Sequence, residues 1–102
     1  MNLLPNYIKK TLPPLYSNEH NTNPIIKVKY FCPWNKWTWY GIEFDGKDIF
    51  FGFVYGDFPE LGYFSLKELT SVKGPWGMTI ERDIHFQPTE LNKIKEYHNV
   101  LN

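Results

Sequence analysis

The sequence contains a single cysteine, Cys32, and no long run of apolar residues. One cysteine cannot form an internal disulfide, which is typical of proteins from a reducing compartment. No stretch approaches the roughly 18 uncharged apolar residues of a membrane-spanning helix. Residues 1–10 also lack the apolar core of a signal peptide. These absences predict a cytoplasmic protein that does not associate with membranes.

An excess of charge of one sign is also missing. The chain has 11 Lys and Arg residues and 11 Asp and Glu residues, so its formal net charge is zero. Binding dominated by phosphate contacts needs clustered Lys and Arg, and the balance therefore argues against it. The distribution is nevertheless uneven, because residues 1–30 are weakly basic whereas residues 31–64 are acidic.

No established catalytic or metal-binding motif is present. His20, His85 and His98 lie far apart, without the short paired spacings of zinc sites. Cys32 would need a nearby histidine base to act as a nucleophile, and a buried inert thiol is the simpler interpretation. There is no glycine-rich phosphate loop and no Gly-x-Ser-x-Gly motif. The sequence therefore predicts neither a metal nor a cofactor.

What the chain has in abundance is aromatic side chains, which make up 19% of its residues. Most of them lie between Tyr30 and Phe64, in segments such as Trp37-Thr38-Trp39-Tyr40. Each ring buries roughly 150–250 Å², so a small chain can build a core from few residues. The same rings can form an exposed surface that stacks on bases. Composition alone fits both interpretations.

Residues 25–64 carry the pattern of consecutive antiparallel strands. Ile26, Val28 and Tyr30 alternate with Lys27 and Lys29, as in a strand with one buried face. Asp45-Gly46 is a hairpin turn signal, and residues 56–60 read as a loop. The predicted strands cover residues 25–31, 37–44, 48–55 and 61–64, with a further extended segment at residues 78–86.

Three short helices complete the expected fold. Apolar residues recur at helical spacing within residues 3–12, and Pro13-Pro14 ends that segment. Ser65 and Glu68 form a capping box for a helix that runs to residue 72. Thr89 caps a last helix, whose apolar stripe consists of Leu91, Ile94, Tyr97 and Leu101. We therefore expect one α+β domain over residues 1–102, with an antiparallel sheet of about four or five strands and short N-terminal, middle and C-terminal helices.

Several motifs along the chain carry a resemblance to a known family. They are Leu12-Pro13-Pro14-Leu15-Tyr16, Pro33-Trp34, Trp37-Thr38-Trp39-Tyr40, Pro59-Glu60-Leu61-Gly62-Tyr63-Phe64-Ser65-Leu66, Gly74-Pro75-x-Gly77 and Ile80-Glu81-Arg82-Asp83-x-His85-Phe86. In this order they resemble the bacterial family called domain of unknown function 2958, over nearly the whole chain. The resemblance implies a setting on plasmids, phages and integrative elements, sometimes beside DNA-processing proteins. It implies no biochemical activity.

The first functional hypothesis is a small non-catalytic binding protein of a mobile genetic element. Such a protein acts by occupying a macromolecular partner, most naturally a host-defence or DNA-processing protein. Aromatic side chains in turns are good interface anchors, and carboxylates can compete for a basic groove that otherwise binds phosphates. The expected partner-binding residues are Trp34, Asp57, Phe58, Glu60 and Trp76.

The second hypothesis is an accessory protein that binds single-stranded nucleic acid. Basic side chains would meet phosphates while aromatic rings stack on bases. The basic residues expected in this role are Lys27, Lys29, Lys36 and Arg82, and the stacking residues are Trp37, Tyr40 or Tyr63. The neutral net charge ranks this hypothesis below the first.

A polar string near the C-terminus supports a third hypothesis, a metal-dependent nucleic-acid hydrolase. Glu81, Asp83 and His85 alternate, so on a strand their side chains would share one face. Two carboxylates and an imidazole can bind a divalent cation or transfer protons. The alternative is a structural network of ion pairs around Arg82, and the spacing matches no established metal motif.

Overall fold

The computed structural model describes residues 1–100, in which seven strands and three α-helices form. The strands are β1 (Ile25–Ile26), β2 (Val28–Phe31), β3 (Thr38–Phe44), β4 (Ile49–Tyr55), β5 (Pro59–Ser65), β6 (Glu81–Arg82) and β7 (Thr89–Glu90). The helices are α1 (Asn6–Lys9), α2 (Leu66–Ser71) and α3 (Leu91–Tyr97), and a 3-10 turn covers Pro75–Gly77. The α+β prediction is confirmed. None of these helices has the length and hydrophobicity needed to cross a bilayer.

The main sheet has five antiparallel strands in the order β5-β4-β3-β2-β6. The single strand predicted at residues 25–31 is instead divided at Lys27. Ile25–Ile26 turns away to pair with β7, while Val28–Phe31 pairs with β3. Opposite Lys27, the pairing of β3 with β4 shifts register between Gly41 and Glu43. Lys27 N donates to Gly41 O at 2.8 Å at this point. An irregularity of this kind bends the strand and strengthens its twist.

Both faces of the sheet are covered, which explains the aromatic density of the strands. One face buries Tyr30 and Phe50 beneath α2 and the N-terminal segment, where Leu3 and Leu69 join the same cluster. The other face buries its own aromatic cluster beneath α3; its members are Ile26, Tyr40, Ile42, Phe53, Leu91 and Ile94. Side chains alternate between the two faces along a strand, so aromatic rings that point to either face are buried.

The first helix is shorter than predicted, because α1 covers only Asn6–Lys9. Leu3 and Leu4 are buried ahead of it in a non-helical segment. There Asn2 Oδ1 accepts from Leu4 N at 3.1 Å. The two leucines enter the core before Pro5, so the helical spacing that linked Leu4 to Leu12 does not describe one helix.

The last helix begins at Leu91, and the prediction that Thr89 caps it was wrong. Thr89 pairs with Ile26 in β7, and its hydroxyl donates to Gln87 O at 2.6 Å. The cap comes from a distant loop, in which Asn23 Oδ1 accepts from Asn92 N at 2.9 Å.

The stripe predicted on that helix is correct only in part. Leu91 and Ile94 are buried, whereas Tyr97 is 73% exposed and Leu101 lies outside the described residues. His98 turns inward instead and stacks on Tyr55, with 4.0 Å between the ring centroids.

The middle helix follows the sequence more closely. Ser65 Oγ accepts from Glu68 N at 3.1 Å, which is one of the two bonds of the predicted capping box. Asp48 adds a second cap, since Oδ1 accepts from Lys67 N at 2.8 Å and Oδ2 accepts from Ser65 Oγ at 2.7 Å. These bonds satisfy N–H groups that have no partner inside the helix.

Candidate partner-binding surface

Three connections gather at one end of the main sheet. The strands are antiparallel, so the turn at residues 32–37, the turn at residues 56–58 and the segment leading into β6 emerge on the same side. The register confirms this placement, because Phe31 faces both Thr38 and Glu81, and Tyr55 faces both Thr38 and Pro59. We call this side of the molecule the aromatic end, defined by residues 32–37, 56–60 and 73–80.

Trp76 is the most exposed aromatic residue described, at 96% of its full accessibility. Residues 73–79 form a small hairpin, in which Lys73 pairs with Thr79 and Gly74 N donates to Met78 O at 2.7 Å. Trp76 lies at the tip with φ of 53°, in the left-handed region that residues other than glycine seldom adopt. The backbone therefore holds the indole away from the protein.

Trp34 supports this hairpin and is not itself an exposed anchor. The Trp34 ring is half-buried against the core and lies beneath Gly74. A Cβ atom at Gly74 would fall 2.6 Å from the indole, so only glycine allows this approach. Trp37 packs in the same way beneath Gly56, where a Cβ atom would lie 2.5 Å from its ring.

Phe58 forms the second exposed anchor of the aromatic end. It lies in the turn between β4 and β5 and is 79% exposed. Asp57 and Glu60 are exposed beside it, with Glu60 inside β5 and not in the loop predicted for residues 56–60. Strands in a sheet lie about 4.8 Å apart, so the β4–β5 turn that carries Phe58 lies roughly 10 Å from the β2–β3 turn on which the Trp76 hairpin packs. One standard interface of about 800 Å² per partner spans that distance.

The polar string ties the N-terminus to the edge of the sheet. Arg82 Nε donates to Asn2 O, and its Nη1 donates to the Tyr7 hydroxyl, both at 3.4 Å. Asp83 Oδ2 lies 3.6 Å from Lys29 Nζ, and both side chains are largely buried. The network of ion pairs predicted around Arg82 does not form among the described residues, because Arg82 bonds to uncharged groups and the ion pair of the string joins Asp83 to Lys29.

The face predicted for the polar string does not form as expected. β6 ends at Arg82, and a turn follows at residues 84–85, so strand alternation does not extend to His85. Asp83 Oδ1 accepts from His85 N at 2.9 Å, and the His85 side chain is exposed. Within residues 1–100 no group of three His, Cys, Asp or Glu side chains is placed to hold a metal ion.

The residues expected to bind nucleic acid are dispersed. Tyr40 is 1% exposed and Trp37 is half-buried, so of the three rings only Tyr63 presents much of its surface. Lys29 is paired with Asp83. Lys27 and Arg82 line a cavity of about 260 Å³ near β6, which is at the opposite edge of the main sheet from Tyr63 in β5. No stacking platform with adjacent cations results.

Sequence reasoning missed a cavity of about 480 Å³ beside β5. Its lining includes Tyr16, Glu43, Phe51, Leu61, Tyr63 and Leu91. Glu43 is only 3% exposed, and its two carboxylate oxygens accept from Tyr16 N and Asn18 N, each at 2.8 Å. The signal was present in the sequence, since Glu43 is a carboxylate between Ile42 and Phe44 in a strand whose neighbours are apolar.

Tyr16 and Tyr63 connect the loop above the cavity to β5. Their side chains are hydrogen bonded, and this bond, followed by partial burial, raises the pKa of Tyr63 above its ordinary value. Tyr16 has φ of 73°, and its N–H donates to Glu43. Glu19 and Lys95 also border the cavity. The loop at residues 16–18 is therefore fastened at both its backbone and its side chain.

These features define a small α+β protein with a sheet covered on both faces and exposed aromatic side chains on the loops at one end. A family model described as "Protein of unknown function (DUF2958)" matches residues 3–100, and the chain belongs to this family. Searches of curated proteins and of solved structures gave no match.

Proposed function

We propose that the chain is a small non-catalytic binding protein that acts by occupying a macromolecular partner through its aromatic end. The observation that carries the proposal is Trp76, which is 96% exposed at the tip of a hairpin in the left-handed conformation. Backbone strain of this kind costs about 1–3 kcal/mol and persists only where surrounding structure imposes it. Here Trp34, beneath Gly74, supplies that support.

The composition of the aromatic end fits an interface. Trp and Tyr are enriched among the few residues that dominate binding, and such residues cluster at the centre of an interface. Trp76 and Phe58 would be the anchors, whereas Asp57 and Glu60 would form the polar rim. Trp34 and Trp37 would act indirectly, by holding the two turns in place.

The charge of this surface indicates the partner class. Asp57 and Glu60 flank Phe58, so a basic patch on the partner would be electrostatically complementary to this turn, whereas the exposed Lys36 and Lys73 belong to the other turns of the aromatic end. A cytoplasmic host-defence or DNA-processing protein carries such a patch where it binds phosphates. Occupying that groove would be a simple action for a protein of a mobile genetic element, which is the setting that we propose for this chain.

A photo-cross-linking experiment tests the proposal. A benzophenone amino acid replaces Phe58, Trp76 or, as a control on α3, the exposed Lys93. In a lysate of the cells that carry the protein, positions 58 and 76 should label the same protein, and position 93 should not. Trp76→Ala should then weaken binding to that purified protein by about tenfold or more. No adduct, or the same adducts at all three positions, would contradict the proposal.

A further inference from the structure

One edge of the main sheet is open. At the end of the β4–β5 ladder, Leu66 N donates to Asp48 O at 2.9 Å. Backbone hydrogen bonding alternates along an antiparallel strand, so the peptide groups of Gly62 and Phe64 also face β4. The N–H and C=O groups of Leu61 and Tyr63 consequently point away from the sheet.

Nothing in residues 1–100 covers this edge. β5 has seven residues, and no described backbone or side-chain group bonds to the peptide groups of Leu61 or Tyr63. The two side chains are 46% and 56% exposed. Natural proteins usually blunt such an edge with a lysine, a bulge or a covering segment. Pro59, which has no N–H group, prevents strand pairing only at the first position of β5.

The open edge adjoins the large cavity. Leu61 and Tyr63 are two residues apart, so their side chains lie on the same face, and both line the cavity of about 480 Å³. A strand added next to β5 would extend that face. Every second side chain of the added strand would then lie at the cavity mouth, beside Leu61 and Tyr63.

We propose that β5 accepts an extended, basic segment of the partner protein as a sixth strand, with a Lys or Arg side chain directed into the cavity. This inference rests on the proposed function, that the chain binds a protein. In strand addition, main-chain bonds supply affinity and side-chain pockets supply specificity. The outward peptide groups of Leu61 and Tyr63 would make the main-chain bonds, and the cavity would be the side-chain pocket.

The charges select a basic occupant. Glu43 and Glu19 border the cavity together with Lys95, and Asp57 and Glu60 stand at the start of β5. Glu43 is only 3% exposed and both its oxygens accept backbone N–H groups, so its charge would add to the negative potential of the cavity without touching the added side chain. A second copy of this chain fits less well, because β5 contains no Lys or Arg to place in the cavity.

The first test is a selection from a displayed library of random peptides of about ten residues, which is long enough to span β5. Selected peptides should combine a Lys or Arg with alternating β-branched or aromatic residues. By NMR, the strongest peptide should slow amide exchange at Leu61 and Tyr63 in the unmodified protein. Replacing its basic residue with norleucine should weaken binding by about tenfold and remove most of the salt dependence.

Two variants of one position separate backbone pairing from side-chain contact. Leu61→Pro removes an outward N–H without breaking the β4–β5 ladder, whereas Leu61→Ala keeps that N–H. We expect Leu61→Pro to weaken peptide binding by about tenfold and Leu61→Ala to weaken it much less. If Leu61→Pro does not fold, amide exchange in the unmodified protein decides the question.

Other outcomes would overturn the inference. These are peptides that leave the Leu61 and Tyr63 amides unprotected, selected peptides without a basic residue, and self-association that competes for the edge. The proposed function fails separately, because its cross-links are read at Phe58 and Trp76. Specific cross-links there combined with no protection of β5 would remove the added strand and keep the binding protein.

Discussion

The Tyr40 hydroxyl lies 2.7 Å from Nε2 of His98, and this contact joins the centre of the sheet to the end of α3. Burial strongly raises the pKa of Tyr40, so its hydroxyl stays protonated and shares a hydrogen bond with the imidazole, the donor being set by the tautomer of the ring. Burial, and secondarily the nearby Lys29, lower the pKa of His98 below its ordinary value of 6.5. The fold therefore prefers the uncharged ring.

This preference predicts that stability falls as His98 becomes protonated. A histidine whose pKa is lower in the folded state binds more protons when unfolded, so its contribution is complete above about pH 6.5. The contribution is lost as the pH falls through the lower, folded pKa. Urea unfolding between pH 5 and 8 should show this loss in the wild type and a flatter profile in His98→Gln. Equal slopes in the two proteins would contradict the assignment.

Asp48→Ala should lower the melting temperature by removing both of its bonds to the start of α2. Hydrogen bonds from Lys67 N and Ser65 Oγ, in that order, lower the pKa of Asp48 below 3.8. Its contribution is thus present above the ordinary carboxyl pKa and lost as the pH falls through the folded value. Lys67→Ala is the matched control, because it keeps the backbone N–H. Thermal unfolding at pH 7 should place Asp48→Ala clearly below that control.

Gly74→Ala should destabilise the protein by about 1–3 kcal/mol, because the added methyl group would overlap the Trp34 indole. The hairpin carrying Trp76 should shift, and Trp34 fluorescence should change with it. Gly62→Ala is the control, since a Cβ atom there meets nothing within 4 Å. Equal unfolding free energies for the two variants would show that the packing against Trp34 is loose.

Glu43→Ala should cost about 2–4 kcal/mol, because it leaves the N–H groups of Tyr16 and Asn18 without their acceptor. Glu19→Ala removes an exposed carboxylate from the same loop and should be nearly neutral. Urea unfolding of both variants measures the difference. A small effect of Glu43→Ala would mean that water replaces the carboxylate easily.

Asp83→Ala separates a structural role of Asp83 from the hydrolase hypothesis. Loss of the contacts to Lys29 and to His85 N should lower the melting temperature by several degrees, since about 1 kcal/mol shifts a domain of this size by about 4–8 °C. Nuclease assays with magnesium, run on the wild type and the variant, complete the comparison. Magnesium-dependent cleavage lost without a change in melting temperature would favour the hydrolase.

The sequence identified the consecutive antiparallel strands of residues 25–64 because turn signals and alternation are local. It did not identify what distant residues supply. Asn23 caps α3 from a loop that reads as merely polar, so Thr89, which is next to the helix, was chosen instead. The division at Lys27 depends on a bulge in β3, and alternation continues smoothly across it.

The same distinction between local signals and distant contacts applies to the candidate surface. Turn propensity placed Phe58 and Trp76 on loops correctly, because both follow or precede Pro and Gly signals. The difference between Trp34 and Trp76 depends on Gly74, which meets Trp34 only after the sheet has formed. The cavity beside β5 depends on the loop at residues 16–24 folding back over Glu43, and local pattern carries no information about that closure.

The two borders of the main sheet are unequal, because β6 has two residues and Met1 Sδ accepts from its outward Arg82 N at 3.2 Å. In the main sheet, the β5 edge is therefore open to strand addition, whereas the β6 edge is obstructed. A molecule of this shape can end a growing stack of strands but cannot extend it. If β5 accepts a partner strand as proposed, any assembly built through that edge has a finite stoichiometry.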